Sequence, residues 1–159
     1  MIRRIALSSL LVFCVAGASA SQAVADRGAS HVAGTYAVSD FGTTTCDPLG
    51  ATRLVCRTAG LRIDYDGDLA GVSTSGFEQV IDCARGRTVG RGSETFTGSV
   101  NGVGGTLTWQ LVFVSDFDCA SFFPSDLRIV AVPTEGGGGL AGTHGVLLFG
   151  DTDYTGVLG

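Results

Sequence analysis

Lysine is absent from this chain of 159 residues, and all ten of its basic residues are arginines. Acidic residues number 15, so the formal net charge is −5. Nucleic acids and anionic membranes attract proteins through clustered Lys and Arg side chains, whereas the arginines here are scattered along an acidic chain. We therefore predict no nucleic-acid partner and no electrostatic attraction to lipid.

Long apolar runs are missing except for one near the start. Residues 5–16 form this run, which follows two arginines and precedes Ala-x-Ala sites at 18–20 and 23–25. That order is typical of a secretory signal peptide, and the run is shorter than the about 20 residues of a spanning helix. We predict a signal peptide over residues 1–25 and a secreted or extracytoplasmic mature protein without a membrane span.

Cys-x-x-Cys pairs, the usual elements of a four-cysteine zinc site, do not occur. Of the five cysteines, Cys14 leaves with the signal peptide, and an even number remains for pairing in an oxidising compartment. An Asp-Pro-Leu-Gly turn after Cys46 can bring it beside Cys56. We predict the disulfides Cys46–Cys56 and Cys83–Cys119, with the other connectivities open, and no metal or other cofactor.

A helical period is also lacking after residue 25, because apolar residues recur at every second position. Leu107, Trp109, Leu111 and Phe113 share one face of a strand in this pattern, and we place that face inside. The Asn-Gly pair at 101–102 suits a type I′ hairpin. The predicted strands are 34–38, 61–65, 71–81, 93–100, 105–114, 127–132, 143–149 and 154–158.

About eight strands joined by short turns form either a closed antiparallel barrel or a β-sandwich. Glycines within the strands, such as Gly76 and Gly98, suit the bulges that close a small barrel. We predict one all-β domain: an antiparallel closed β-barrel over residues 33–159, preceded by a tail over 26–32. A β-sandwich is the alternative.

Several segments resemble a family of small secreted bacterial proteins, namely residues 66–74, 96–107, 139–145 and 154–156. That family is similar to the allene oxide cyclase and dirigent barrels. The most specific element is the Gly-Leu-Ala-Gly-x-x-Gly step at 139–145. The resemblance spans residues 61–158 and implies eight antiparallel strands around a central cavity. It carries over no catalytic residue, because sites vary within a fold.

Motifs for known chemistry are incomplete. A Gly-x-Gly-x-x-Gly pattern at 137–142 precedes no helix, so we interpret it as a turn. Alternating aspartates at 64–68 suggest calcium, but Ser75 stands where the loop needs a bidentate glutamate. No Gly-x-Ser-x-Gly elbow occurs, and His144 can act as a base only if it faces a cavity. None of these motifs supports a catalytic set.

Glu78 is the strongest candidate for a chemical role, because its predicted strand is otherwise uncharged until Asp82. A carboxylate that faces a cavity is desolvated, which raises its pKa and suits it to act as acid, base or ligand anchor. We predict that Glu78 and Trp109 share a cavity, with Arg128 as the countercharge. Tyr65 and Gln110 are further predicted walls. If this face is exposed, Glu78 is an ordinary surface carboxylate.

Three functions remain open at this point. A small exported barrel with an apolar interior is suited to binding a small apolar or amphipathic molecule, which is our first expectation. A cyclase-like or dirigent-like enzyme that steers a reactive intermediate is the second. A structural or interaction module with a filled barrel is the third. Because no acid, base and nucleophile set is complete, we favour binding over catalysis; the oligomeric state is open.

Overall fold

The computed structural model describes residues 28–159, so the predicted signal peptide (1–25), Cys14 and the start of the predicted tail lie outside the described residues. Within this part the chain forms nine β-strands. They are β1 (Ser30–Asp40), β2 (Thr43–Pro48), β3 (Arg53–Gly67), β4 (Leu69–Asp82), β5 (Arg87–Val100), β6 (Val103–Asp118), β7 (Phe123–Gly138), β8 (Gly145–Phe149) and β9 (Asp153–Leu158). No helix long and apolar enough to cross a membrane occurs in residues 28–159.

The strands form one antiparallel sheet that closes into a ring of hydrogen bonds. From β3 to β9 each strand pairs with the next, and β1 completes the ring by pairing with both β9 and β3. β2 pairs with the first part of β3, which β1 does not reach. The same edge of β3 thus pairs first with β2 and then, further along, with β1. The chain turns between β1 and β2 at Gly42, whose φ is 61°.

The start of the ring differs from its prediction. β1 begins at Ser30, and Val32 is buried opposite Gly156 of β9, so residues 30–32 belong to a strand and not to a tail. β2 was not predicted, since all of its side chains are exposed and it has no alternation to detect. The hairpin prediction at 101–102 is confirmed, because Asn101 and Gly102 both have positive φ, at 49° and 78°.

Bulges occur at other positions than the predicted ones. Gly76 and Gly98 pair in register with their partners on β5 and β6, so neither forms a bulge there. β3 instead shifts register between Ala59 and Leu61, where Gly60 has a φ of 75°. At this point β3 leaves β2 and meets β1, so the irregularity marks the change of partner.

The interior of the ring is built by the alternation seen in the sequence. Leu107, Trp109, Leu111 and Phe113 of β6 are all buried, which confirms the prediction that this face lies inside. Trp109 is completely buried and its ring stacks on Phe96, with centroids 6.0 Å apart. Aromatic rings thus fill one part of the interior.

Both predicted disulfides are confirmed. Cys46 of β2 and Cys56 of β3 are register partners, so this bridge fixes β2 against the ring. Cys83 follows β4 and bonds Cys119, which follows β6. The second bridge therefore ties two turns at the same end of the ring.

Candidate functional site

A cavity of about 430 Å³ occupies part of the ring. Most of its lining is apolar, including Leu61, Ile63, Phe77, Leu111 and Ile129. These side chains come from β3, β4, β6 and β7, since the inward positions of antiparallel strands meet in the interior. The interior is therefore only partly filled by side chains.

The cavity lies towards the turn between β6 and β7. On β6 the lining begins at Leu111 and continues to Phe117, whereas Leu107 and Trp109 pack in the aromatic core and do not line it. Three further lining residues, Phe41, Phe122 and Phe123, are exposed, with Phe41 at 70%. Because these phenylalanines lie near the ends of strands, they form an apolar mouth that opens to solvent.

Glu94 of β5 lines the cavity although it is only 4% exposed. The Tyr65 hydroxyl donates a hydrogen bond of 2.5 Å to its Oε1, and the Ser73 hydroxyl donates another of 2.6 Å to the same atom. In the β5–β6 ladder Glu94 stands opposite Trp109. Glu94 therefore lies where the aromatic core ends and the open cavity begins.

Burial dominates the electrostatics of this carboxyl group. Desolvation raises the pKa of Glu94, and the hydrogen bonds from Ser73 and Tyr65 oppose that rise. Burial also raises the pKa of Tyr65, and the neighbouring Glu94 raises it further. Tyr36, which lines the cavity, has its pKa raised to about 12 by burial and then by Asp151, Asp153 and Glu94.

No basic side chain accompanies Glu94 inside the described part of the ring. All arginines and histidines among residues 28–159 are exposed, and the ion pairs found there lie at the surface. A buried carboxylate normally has a cationic partner, because transfer of an isolated charge from water is costly. Glu94 thus has hydrogen-bond donors but lacks a countercharge within residues 28–159.

Two buried polar atoms near the cavity make no hydrogen bond within residues 28–159: Nε1 of Trp109 and Oγ of Ser115. The Trp109 indole is close enough to lower the pKa of Glu94 but does not reach hydrogen-bond geometry. Ser115 is 3% exposed and lines the cavity. Since buried polar groups are normally paired, the Ser115 hydroxyl is available to a bound molecule.

Of the predicted site residues, the structure brings Tyr65 and Trp109 together in the interior. Their rings meet edge to face with centroids 6.1 Å apart, behind the cavity. Tyr65 contributes its hydroxyl to Glu94, while Trp109 contributes bulk to the aromatic core.

Glu78, the predicted anchor, lies on the outer face of β4. Its side chain is 44% exposed and pairs with Arg57 at 2.9 Å, so it does not share a cavity with Trp109. Arg57, and not Arg128, is its countercharge; Arg128 is exposed opposite Val114. The predicted shared cavity with Trp109 and the predicted countercharge Arg128 are therefore both wrong. The prediction took the face of β4 that carries Val72, Glu78 and Val80 as the inner one, but this face points outward.

Gln110 is likewise on the outside, in a shallow depression shared with Glu78 and Arg91. His144 is exposed and its Nδ1 lies 3.3 Å from the carbonyl oxygen of Gly142, outside the cavity. The predicted residues therefore divide into an inner pair and an outer group. A contribution of the outer group to binding stays a prediction.

The sequence contains a signal that identifies Glu94 as an inward carboxylate. Glu94, Phe96 and Val100 are separated by even numbers of residues on one strand, so period two places them on one face. Phe96 and Val100 are buried, and Glu94 is buried with them. A carboxylate in phase with buried apolar residues was the better candidate.

Comparisons with known proteins agree with this architecture. No family model and no curated protein matches the chain. Among solved structures, the chain is similar to a protein of unknown function from the DUF3224 family of Shewanella oneidensis MR-1, with a TM-score of 0.61 and 19% identity. The likeness covers 83% of this chain and 97% of that protein. At this identity it shows a shared all-β fold alone.

Proposed function

We propose that this protein is an exported β-barrel that binds a small apolar or amphipathic molecule in its interior cavity. The observation that carries the proposal is the cavity of about 430 Å³, whose lining is mainly aliphatic and aromatic with few polar groups. Concave apolar sites with a small number of placed polar groups are typical of small-molecule binding. The volume argues against a barrel filled only by its own side chains.

Export is supported by two independent features. The signal-like order of residues 1–25 favours secretion, and two intramolecular disulfides suit an oxidising compartment. The barrel interpretation is supported by the closed ring of strands and by the resemblance to the allene oxide cyclase and dirigent barrels. Intact mass of the secreted protein tests the cleavage, with Ser21 or Asp26 expected as the first residue.

An apolar fluorescent probe tests binding with two matched variants of β6. Leu111→Trp places an indole ring in the cavity and should abolish the fluorescence enhancement, because Leu111 lines the cavity. Val112→Trp adds the same ring to the outer face, where Val112 is exposed, and should leave the enhancement intact. Thermal unfolding of both variants checks that they fold, since overpacking also destabilises. Equal binding by folded Leu111→Trp would reject the cavity as the site.

A cyclase-like or dirigent-like enzyme is the second candidate, and one observation favours it. Tyr65 and Glu94 form a buried hydrogen-bonded pair of titratable groups at the cavity wall, as proton-transfer sites often do. Native mass spectrometry of protein purified from its own secretions separates the candidates. A single unchanged bound molecule favours a carrier, whereas two molecules related by cyclisation or coupling favour the enzyme.

A further inference from the structure

We propose that the cavity selects amphipathic amines, with the protonated nitrogen of the ligand paired with Glu94 and its apolar part towards the phenylalanine mouth. This inference rests on the proposed binding function and assigns the chemical class of the ligand. Three features carry it: the donors around Glu94, the absence of an internal cation among the described residues, and the apolar path to solvent.

The donors around Glu94 fix the position of its carboxyl group at the cavity wall. Tyr65 and Ser73 both donate to Oε1, from β3 and β4 on one side of β5. One carboxyl oxygen can accept both bonds whether the group is protonated or ionised, so the two donors stay in place when Glu94 loses its proton. Donors from two strands thus hold the carboxyl group in place for a positively charged partner.

The described ring supplies no such partner. Glu94 interacts electrostatically with Tyr65 and Tyr36, and both are neutral near neutral pH, since burial raises pKa values that are already high. Every described arginine and histidine is exposed. A ligand ammonium group would supply the missing positive charge, and ion pairs inside a low-dielectric site are strong when hydrogen-bonded.

The same features disfavour other amphipathic ligands. A fatty acid or a phosphate ester would bring a second negative charge to Glu94 and would find no Arg or His side chain facing the described cavity. A neutral alcohol can hydrogen-bond to Glu94 or to the Ser115 hydroxyl, but gains no ionic attraction. The aromatic walls Tyr36, Phe77 and Phe113 also favour a cation over an anion.

Binding then has a defined proton balance. The ligand arrives as an ammonium ion, and pairing with it lowers the pKa of Glu94, so a protonated Glu94 gives its proton to the buffer. Tyr65 and Ser73 keep their protons and continue to donate to Oε1. Octanol would leave the protonation of Glu94 unchanged, so proton release distinguishes the two ligands.

The test compares octylamine, octanol and octanoate by isothermal titration calorimetry below their micelle concentrations, in two buffers of different ionisation enthalpy. Octylamine should bind the wild-type protein about tenfold or more tightly than octanol, since a hydrogen bond to a charged group adds about 1.5 kcal/mol or more. It should also release protons. Octanoate should bind most weakly of the three.

Glu94→Gln keeps the shape and removes the charge, so it should abolish the preference for octylamine while octanol binding persists. Glu135→Gln, at an exposed position of β7 that does not line the cavity, is the matched control and should behave as wild type. If Glu94→Gln does not fold, the wild-type ranking of the three ligands decides alone. Octanol or octanoate binding as tightly as octylamine overturns the amine inference but leaves the cavity function standing. No binding of any of the three, nor of the fluorescent probe, overturns both.

Discussion

The Tyr65 hydroxyl lies 2.5 Å from Oε1 of Glu94, in the interior of the strand ring. Tyr65 comes from β3 and Glu94 from β5, with β4 and its Ser73 between them. The three side chains meet because the inward positions of adjacent strands share one face. Tyr65 therefore joins the aromatic core, through its ring, to the polar wall of the cavity, through its hydroxyl.

Tyr65→Phe tests this hydrogen bond. Because the bond from Tyr65 lowers the pKa of Glu94, its removal should raise that pKa further. Loss of a bond to a buried acceptor should also lower the free energy of unfolding by about 1–3 kcal/mol. The carboxyl carbon of Glu94, followed by NMR against pH, measures the first effect and urea unfolding the second. Tyr36→Phe is the control, since its hydroxyl bonds Gly150; an unchanged Glu94 titration in Tyr65→Phe would contradict the assignment.

The raised pKa of Glu94 predicts how stability changes with pH. The folded state holds this proton to higher pH than the unfolded chain, so its stabilising contribution is complete below the ordinary glutamate pKa. It is lost as the pH rises through the raised pKa of the folded state, with a slope of at most about 1.4 kcal/mol per pH unit. Urea unfolding of the wild type and of Glu94→Gln over a pH series isolates this slope as their difference. Parallel curves would show that Glu94 keeps an ordinary pKa.

Much of the fold could be predicted from local pattern. The alternation from Leu107 to Phe113 identified a strand and its inner face, and the turn chemistry after Cys46 identified one disulfide. The contact between β1 and β3 could not be predicted this way, because it depends on closure of the whole sheet and leaves no local pattern. β2 lacks alternation because it is exposed along its length.

The choice of Glu78 over Glu94 shows why the site was harder to predict. On β4 the outward positions include Val72 and Val80, while the inward positions include Ser73 and Ser75. Apolar residues therefore occur on both faces of this strand, since Phe77 also lies inward and lines the cavity. Leu69 and Ile81, both fully buried, are in phase with the serines and mark the inner face. In β4 the apolar residues at the strand ends were the better guide.

The two disulfides should differ in their contribution to stability. Cys83 and Cys119 are 36 residues apart, against 10 for Cys46 and Cys56. In the chain-entropy model the longer loop gains about 1 kcal/mol more, within a usual range of about 2–4 kcal/mol for each bridge. Paired Cys→Ala variants of each bridge, compared by urea unfolding, measure the difference. Cys56 is fully buried, so its replacement by Ala also costs packing energy and increases the loss of stability for the short-loop bridge. A larger loss for Cys46–Cys56 than for Cys83–Cys119 would show that this packing cost outweighs the entropy of the longer loop.

Trp109→Ala tests whether the aromatic core is packed where the cavity ends. Trp109 is fully buried against Phe96, Tyr65 and Phe149, so its truncation should cost about 3–5 kcal/mol. The new space adjoins Glu94, which is opposite Trp109 in the ladder, and should extend the cavity inward. Urea unfolding measures the cost, and uptake of the apolar fluorescent probe by the folded variant measures the enlargement. A loss of only about 0.5 kcal/mol, as for surface substitutions, would mean that the wall behind Glu94 is already loosely packed.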